Sequence, residues 1–411
     1  MQLPESPPFQ MPDIFVVIPL LREQENIERV AVQFAALAEK YWRLRLVLVT
    51  TERESIENTT TVETTAHRIS KLRRAKTFPG EVIHLHYPKF NDVVADQLNY
   101  ALAFISENFH SDDAFCVFYN ADSVVPSTSF DEIVALAISR AETIQQSSFF
   151  LWNVPSLLIR RKVLLAAFGA YQSGWTLQHE VPRLLLKKSI DQRRKIATPG
   201  MTLVHCVTHG FGARLSILLP LGGIPSPRIG GEDLALGYLL NACGVIITPI
   251  TRLENSSTPE CMRALFTQLT WWFIATLGYA RFWLLAPLGL RGSCKKRRLF
   301  VCAIGLWDSV KWACKGPIIV AFLICSARWG HLPIAFCLVV LYCYVPVLAV
   351  LVLWYRRLPV AEFPRPRPLD LVSLLLFYWI VPILRSLPAF AGLYRVAQIF
   401  MHGSEPKPKT E

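Results

Sequence analysis

The stretch IFVVIPLLREQEN, residues 14–26, decides the fold that the sequence predicts. Its first five residues are apolar and mostly β-branched, which predicts a buried strand at Ile14–Ile18. A proline and a charged segment follow, and they indicate the start of a helix. Because this alternation of short apolar runs and amphipathic stretches continues to about residue 250, we predict an α/β domain with a mostly parallel sheet over residues 14–261.

Further strands and helices follow from the same pattern. The strands are predicted at Leu44–Val49, Val82–His86, Phe115–Tyr119, Phe149–Val154 and Leu203–Val207, and the helices include Glu25–Tyr41 and Val93–Ile105. In open α/β sheets, ligands bind just beyond the carboxyl ends of the strands. We therefore expect the functional residues at that edge of the sheet.

The last third of the chain is more apolar than the first, and its cations are grouped beside apolar segments. Hydrophobic residues make up 52% of the 411 residues, and the formal net charge is +12. The cationic groups are Lys295–Arg298, Arg356–Arg357, and Arg365 with Arg367. This placement is typical of the cytoplasmic flanks of membrane helices. It predicts a membrane partner and no nucleic-acid partner.

Residues 262–400 are predicted to form interfacial and transmembrane helices, with ~3–4 spans. The clearest span is Leu332–Trp354, which carries no charge. Leu299–Ala327 is expected to be split by its charged residues into an amphipathic piece and a short apolar run. Leu369–Phe400 is long enough to cross, whereas Leu265–Leu290 fits either an interfacial helix or a kinked span.

Polar tails are predicted at residues 1–13 and 401–411, and the N-terminal segment lacks the pattern of a signal peptide. The ten cysteines include no Cys-x-x-Cys pair. We therefore predict neither a zinc site nor a disulfide framework. Together these features favour an integral protein of a bacterial inner membrane, with its α/β domain in the reducing cytoplasm.

An amide and a carboxyl side chain follow the fourth predicted strand. They are Asn120 and Asp122, in the segment Phe118–Ser123. Mg²⁺ takes oxygen ligands and shares them with substrate phosphates, so one strand-end carboxylate and a diphosphate can form a metal site. The alternative is a turn aspartate that caps the next segment.

Two adjacent acids, Glu232 and Asp233, follow the glycine pair Gly230–Gly231 at the start of an apolar helix. One interpretation is a helix cap, in which Asp233 binds the first free amides and the helix dipole favours Glu232. The other makes Asp233 a general base for a hydroxyl group. Considered alone, the segment favours the cap.

Taken in their order, these segments resemble the family 2 inverting glycosyltransferases, in particular the membrane-bound branch that includes cellulose- and hyaluronan-type synthases. The matching positions are Pro19 and Glu23 after the first strand; Leu98, Asn99, Ala101 and Leu102 in a helix; Asp122; Thr208–Arg214 and Leu221–Pro225; and Glu232 with Asp233. The resemblance covers about Ile14–Trp272. The ordered set is far more specific than any one of its members.

Several positions depart from the pattern of that family. Arg22 replaces an Asn, and Asn120 stands where the first acid of an Asp-x-Asp motif is usual. Thr50–Glu54 replaces the Asp-Asp-x-Ser segment that contacts the nucleotide base, so base recognition is expected to differ. In Gln268–Trp272, Trp271 occupies the Arg position of the Gln-x-x-Arg-Trp motif, which weakens the case for a long-polymer synthase.

The resemblance implies a GT-A-like (Rossmann-like) domain that binds a nucleotide diphosphate sugar with Mg²⁺ or Mn²⁺ and transfers the sugar, with inversion, to a lipid-linked or glycan acceptor. It implies catalytic roles for Asp233 and Glu232, nucleotide-sugar binding by Pro19, Glu23, Thr50, Glu52, Asn99, Asn120 and Asp122, metal binding by Asp122, and acceptor-side roles for His209, Gly210, Gln268 and Trp272. Two alternatives stay open. They are a processive polysaccharide synthase with export, and a catalytically inactive membrane scaffold of the same fold.

Two other polar segments have less specific patterns. His84 and His86 alternate on a strand and, without a third ligand nearby, are interpreted as ordinary strand residues. Gln178–Glu180 fits either an acceptor groove or a polar loop.

Overall fold

The structure is a computed structural model that describes residues 11–57, 63–75, 82–90, 93–109, 113–186, 203, 205–207, 209–227, 231–285, 295–357 and 367–402. Most of the two predicted tails lies outside the described residues. So do Thr208 and Gly230 of the segments quoted above.

A seven-stranded sheet forms the centre of the N-terminal domain. Its strands are β1 (Ile14–Pro19), β2 (Leu44–Thr51), β3 (Val82–Tyr87), β4 (Phe115–Phe118), β5 (Thr143–Gln145), β7 (Phe211–Arg214) and β8 (Ile247–Pro249), while β6 (Ser148–Phe149) and β9 (Glu254–Asn255) pair in a second, two-stranded sheet. The order in the large sheet is β3-β2-β1-β4-β7-β5-β8. β7 is antiparallel to both of its neighbours, and the other pairings are parallel.

Helices cover both faces of this sheet. The helices of this part of the chain are α1 (Ile27–Lys40), α2 (Glu52–Glu57), α3 (Thr65–Arg74), α4 (Val94–Phe109), α5 (Ser127–Ile138), α6 (Val154–Ile159), α7 (Val163–Trp175), α8 (described over 181–186), α9 (Leu215–Leu218) and α10 (Glu232–Cys243). Of these, α6 and α7 pack against the C-terminal helices and not against the large sheet. Alternate residues of β1 explain the two layers: Ile14, Val16 and Ile18 pack with α1, α3 and α5, whereas Phe15 and Val17 pack with α4 and α10. A strand buried on both faces reads as a continuous apolar run. The predicted class, a mostly parallel α/β domain followed by a helical region, is confirmed.

Two of the predicted strands are wrong. Only Phe149 of Phe149–Val154 lies in a strand, because the chain turns there and α6 begins at Val154. The described residues of Leu203–Val207 form no strand, and β7 comes after them instead. The sequence of β7, Phe-Gly-Ala-Arg, lacks β-branched residues. Gly212 is needed there because a Cβ would lie 2.8 Å from the side chain of Ile144 and 2.9 Å from that of Phe115.

Helices dominate the chain after residue 261. They are α11 (Met262–Leu277), α12 (Tyr279–Phe282), α13 (Lys295–Arg328), α14 (Leu332–Arg357), α15 (Pro368–Tyr378), α16 (Val381–Leu384) and α17 (Ser386–His402). Two helical stretches, Arg297–Arg328 and Leu332–Val352, are long and apolar enough to cross a membrane. A third crossing exists among the described residues only if the pair Pro368–Tyr378 and Val381–Ile399, bent by 48°, forms one broken span.

One prediction for this region is corrected. Leu299–Ala327 is not split by its charges, because α13 is one continuous helix of 34 residues with Pro317 inside it. Its charged side chains find partners in the protein: Asp308 pairs with Arg183 at 2.7 Å. Leu369–Phe400 is not a single straight helix, since it is interrupted twice.

The α/β domain and the helical region share one core. Tyr279, Phe282 and Val301 are buried in the same apolar cluster as Leu236 and Tyr238 of α10. The hydroxyl of Tyr238 also accepts a hydrogen bond from Nε of Arg298, at 3.1 Å. The predicted boundary at residue 261 therefore divides two regions that are packed together through α10, α12 and α13.

Candidate active site

A cavity of about 1280 Å³ begins at the carboxyl edge of the sheet and continues between the C-terminal helices. Seven of the predicted site residues line it: Asn120, Asp122, His209, Glu232, Asp233, Gln268 and Trp272. Pro19, Glu23, Thr50, Glu52, Asn99 and Gly210 are not part of its lining. The structure therefore brings together residues from β4, β7, α10 and α11 that are far apart in the sequence.

The turn after β4 presents Asp122 to the cavity. The backbone N–H of Asn120 donates to Oγ of Ser123 at 3.2 Å, and the N–H of Ser123 donates to the carbonyl of Asn120 at 3.1 Å. Ser123, not Asp122, thus stabilises the turn. Within the described part of the chain, no hydrogen bond to the exposed carboxylate of Asp122 is formed. This favours a carboxylate that is available to a ligand.

Asp233 lies in the first turn of α10, whose N-cap is Gly231. Its Oδ1 accepts the N–H of Leu234 at 2.7 Å, so it satisfies one of the free helix amides, as the cap interpretation expects. Burial raises the pKa of Asp233, and the neighbouring Glu232 raises it further. A carboxylate whose pKa is raised toward neutrality is a better general base. The cap and the base are therefore compatible roles for one side chain.

His209 is held by two groups that the sequence did not single out. Its Nδ1 lies 2.7 Å from Oγ of Ser148 and 2.9 Å from Oε2 of Glu254, which is 0% exposed. Burial opposes the charge on the imidazole, but the Glu254 carboxylate outweighs burial and raises the pKa of His209 to about 9. The cavity wall therefore carries a half-buried imidazolium paired with a buried carboxylate. Oε1 of Glu254 has no partner among the described residues.

Gly210 positions His209 through its backbone. Its φ is +72°, its N–H donates to the carbonyl of Phe118 at 2.8 Å, and its carbonyl accepts from the N–H of Gln146 at 2.7 Å. A Cβ at this position would lie 2.7 Å from Cβ of Gln146. Gly210 is thus required by the backbone, and a direct contact with an acceptor stays a prediction.

Glu180 is a second buried acid in the wall. It closes a π-helical turn, Thr176–Glu180, between α7 and α8. Burial raises the pKa of Glu180 to about 7, and its Oε1 has no partner among the described residues. Such turns are frequent at functional sites. Of the two interpretations of this segment, the structure places Glu180 in the cavity wall and not in a polar loop.

The end of β1 is stabilised by a network beside the cavity. The N–H of Glu23 donates to Oγ1 of Thr65 at 2.9 Å, and Oε2 of Glu23 accepts from the amide of Asn26 at 2.7 Å. Burial raises the pKa of Glu23, and Asp122 contributes to the increase. Buried Glu54 accepts from both Thr65 and Gln24. Glu23 is therefore near enough to Asp122 to be affected by its charge.

Thr50 and Glu52 belong to a chain of polar contacts with the two histidines of β3. Oγ1 of Thr50 lies 2.8 Å from Nε2 of His84 and 3.0 Å from Nδ1 of His86. Nε2 of His86 lies 2.8 Å from Oε2 of Glu52. The histidines are thus neither isolated strand residues nor, within the described chain, part of a metal cluster.

Asn99 supports a loop. Its Nδ2 donates to the carbonyl of Ile224 at 2.8 Å, and its Oδ1 accepts the N–H of Ile224 at 2.7 Å. Gly223 is packed against the same amide. Both polar atoms of Asn99 are therefore used by the protein, and its contact with a nucleotide stays a prediction.

Gln268 and Trp272 bring α11 to the cavity. The ring of Trp272 contacts that of Phe150 edge to face, with centroids 6.0 Å apart. Both α11 residues line the cavity on the side that faces the C-terminal helices.

The donor set for a metal consists of oxygen atoms. No group of three His, Cys, Asp or Glu side chains forms a ready-made metal cluster among the described residues. The carboxylate of Asp122 and the amide oxygen of Asn120 lie in one turn after β4. This set fits a hard cation that takes its other ligands from a diphosphate and water.

No family profile and no curated protein matches the chain in sequence. Among solved structures, a mannosyltransferase from Pyrobaculum calidifontis in complex with GDP-Man and Mn²⁺ is 17% identical with a TM-score of 0.46, over 92% of this chain and 88% of that one. TarS 1–349 from S. aureus is 12% identical with a TM-score of 0.40, over 74% of each chain. Glucosyl-3-phosphoglycerate synthase from Mycobacterium tuberculosis, with Mn²⁺, UDP-glucose and phosphoglyceric acid, is 14% identical with a TM-score of 0.36, over 65% and 79%.

These are low scores. What this chain does must therefore be inferred from the chemistry of its own cavity.

Proposed function

We propose that the protein is a membrane-anchored inverting glycosyltransferase that uses a nucleotide diphosphate sugar. One observation carries the proposal: a single cavity at the carboxyl edge of the sheet joins Asp122, at the end of β4, to Asp233, at the start of α10. An available carboxylate suits the diphosphate side of a donor, and a carboxylate of raised pKa suits a base for the acceptor.

The donor is proposed to lie across the ends of β1, β2 and β4. Glu52, whose exposed carboxylate lies 2.8 Å from Nε2 of His86, offers oxygen atoms to a base or ribose at the end of β2. Thr50 is 0% exposed and supports this position from behind, through His84 and His86. Asn120 and Asp122 would hold Mg²⁺ or Mn²⁺ on the diphosphate. When bound, such an ion neutralises charge on the leaving group.

The reaction is a displacement at the anomeric carbon. Asp233 accepts the proton of an acceptor hydroxyl, the hydroxyl oxygen forms the new bond to the anomeric carbon, and the bond from that carbon to the diphosphate oxygen breaks. The nucleoside diphosphate leaves with the bonding electron pair. Attack from the opposite face inverts the anomeric configuration.

The charged pair beside the base has a positioning role in this proposal. The His209 imidazolium lies beside Glu254 in the cavity wall, and its charge opposes part of the increase in the pKa of Asp233. Its cation also balances the acids Glu180 and Glu232, which line the same cavity. The proposal places α13 and α14 in a membrane, with the α/β domain on the cytoplasmic side.

The test is release of nucleoside diphosphate from a panel of nucleotide sugars by the purified full-length chain with Mg²⁺ or Mn²⁺ and a lipid extract. Asp122→Asn and Asp233→Asn are expected to lose turnover, the latter by roughly 10²–10⁴-fold. Asp131→Asn is the matched control, because Asp131 is an exposed carboxylate that pairs with Lys40 away from the cavity.

Two outcomes would contradict the proposal. Turnover with no donor would favour the inactive scaffold. An α-linked product from an α-linked donor, determined by NMR, would exclude direct displacement with Asp233 as base. Polymer length in the same assay separates single transfer from processive synthesis.

A further inference from the structure

The charge of the cavity changes sign along its length. Five carboxyl groups, Asp122, Glu180, Glu232, Asp233 and Glu254, lie near its sheet end together with the single imidazolium of His209. Four cations, Arg183, Lys311, Lys315 and Arg385, line its helical end together with the single carboxylate of Asp308. The two ends are therefore suited to different parts of a ligand.

Asp308 compensates two of the four cations. Its oxygens accept from Arg183 at 2.7 and 3.0 Å, and Oδ1 lies 2.5 Å from Nζ of Lys311. Neither Lys315 nor Arg385 has an ion-pair partner within the described chain. Two positive charges are thus left without a counter-charge among the residues that the structure describes.

Arg385 lies at the break between α16 and α17 and is 7% exposed. Its guanidinium carbon is 4.3 Å from the ring centroid of Trp312 and 5.2 Å from that of Tyr171. Nε of Arg385 is buried and has no hydrogen-bond partner among the described residues. The rings of Trp312 and Tyr171 contact the faces of the guanidinium and do not cover its N–H edge. That edge is the part of a guanidinium that recognises oxyanions.

Lys315 is one turn beyond Lys311 on α13. Its Nζ lies 3.0 Å from the hydroxyl of Tyr171 and 4.9 Å from the ring centroid of Tyr342. Tyr171 therefore contacts both uncompensated cations and holds them at one place in the cavity wall. Arg385 is buried and Lys315 is half-buried. Because a charge removed from water without a counter-charge is costly, two such cations held together indicate a site for an anion.

The same end of the cavity opens toward an apolar surface. Ile318, on the next turn of α13, lines the cavity and is nevertheless 64% exposed. Tyr342 of α14 also lines the cavity and is exposed. These residues belong to the two helical stretches that are apolar enough to cross a membrane. An anion at Lys315 and Arg385 would therefore lie next to a lipid-facing opening.

We propose that Lys315 and Arg385 bind the phosphate group of a lipid, whose apolar chain leaves the cavity past Ile318 and Tyr342. This inference rests on the proposed function in one respect, since it makes the lipid the acceptor and directs its hydroxyl-bearing part toward Asp233. The phosphate would supply the missing counter-charge. The opening onto the apolar surface favours a lipid over free phosphate.

The test is binding of three probes by the full-length chain in detergent, measured by native mass spectrometry without any nucleotide sugar. The probes are dioleoylphosphatidic acid, dioleoylglycerol and inorganic phosphate. Phosphatidic acid is expected to bind at least roughly tenfold more tightly than dioleoylglycerol, since one charge-assisted contact is worth about that factor. Inorganic phosphate that displaces phosphatidic acid at equal concentration would overturn the assignment to a lipid.

Lys315→Gln and Arg385→Gln are each expected to weaken phosphatidic acid binding about tenfold. Lys315→Arg keeps the charge and is expected to keep phosphatidic acid binding. It therefore distinguishes loss of the charge from misfolding caused by any change at this position. Arg328→Gln is the matched control, because Arg328 is an exposed cation at the end of the same helix. Unchanged binding in both Gln variants would refute the site.

Failure of this inference and failure of the proposed function give different results. The lipid assay contains no donor, so its result does not depend on turnover. If lipid binding depends on Lys315 and Arg385 but no donor is turned over, the phosphate site is supported and the transferase function is refuted. If turnover is unchanged in both the Lys315→Gln and the Arg385→Gln variants, the transferase function is supported and the phosphate site is refuted.

Discussion

Replacing Gly210 by alanine is predicted to destabilise the protein much more than the same change at Gly222. Both glycines have a left-handed backbone, with φ of +72° and +83°. That conformation costs an L-residue ~1–2 kcal/mol. Alanine recovers ~0.4–1 kcal/mol because it reduces the entropy of the unfolded chain. Gly222→Ala, with nothing within 4 Å of the new Cβ, should therefore lose only about 1 kcal/mol.

At Gly210 a steric cost is added. The new Cβ would lie 2.7 Å from Cβ of Gln146 and 3.0 Å from its carbonyl oxygen. Gln146 cannot easily move, because its Oε1 accepts from the hydroxyl of Tyr119 at 2.7 Å and its Nε2 donates to the carbonyl of Arg252 at 2.8 Å. Overpacking of this kind costs ~1–3 kcal/mol, which gives a total of about 2–4 kcal/mol for Gly210→Ala.

The assay is thermal unfolding of both variants in the same detergent and at the same scan rate, followed by near-ultraviolet circular dichroism. At ~2–4 °C per kcal/mol, the apparent Tm should fall by roughly 5–15 °C for Gly210→Ala and by only a few degrees for Gly222→Ala. Equal shifts in the two variants would show that Gln146 adjusts freely. The account of how the His209 backbone is fixed would then be wrong.

Three further predictions concern pH and helix packing. Burial lowers the pKa of His84 to about 4, so the fold favours its neutral form; stability should fall as the pH drops from 6.5 through 4, and His84→Gln should flatten that decline in pH-dependent unfolding scans. The pH dependence expected from Glu180 has the opposite direction. Burial raises the pKa of Glu180 to about 7, so stability should fall as the pH rises from 4.5 through 7. A Glu180→Gln variant that keeps this decline would show that Glu180 is not its cause. Gly316→Val should loosen α13 from the break before α17, because a Cβ there would lie 2.7 Å from both the carbonyl of Ile383 and Oγ of Ser386; the expected cost is ~1–3 kcal/mol, measured as faster proteolysis in detergent.

The buried parallel strands could be predicted from the sequence because their pattern is physical. Ile14–Ile18 is apolar at every position, as a strand covered on both faces must be. β7 could not be predicted in this way. It is inserted in antiparallel orientation between β4 and β5, and its small residues are selected by the crowding of Phe115 and Ile144, a contact that exists only in the folded sheet.

Some residues of the candidate site could likewise be predicted from the sequence, and others could not. Asn120, Asp122, Glu232 and Asp233 follow recognisable strand and helix boundaries, and all four line the cavity. Glu254 and Ser148 could not be found, since each is an ordinary polar residue in a two-residue strand until β6 and β9 pair and place them beside His209. Likewise, the charged residues of α13 led to the wrong prediction of a break. Their partners Arg183 and Tyr171 are distant in sequence and come close only in the folded protein.

The core that joins α10 to α12 and α13 determines when the α/β domain can be completed during synthesis of the chain. β4 emerges from the ribosome long before β7, and β5 has no strand partner in the described sheet until β7 joins it to β4. Even when the sheet is complete, Leu236 and Tyr238 lack the covering residues Tyr279, Phe282 and Val301, which arrive only with α12 and the first turns of α13. Completion of the layer that contains α10 is therefore coupled to delivery of the first long apolar helix. A chain interrupted between the two would present an apolar face to chaperones and proteases.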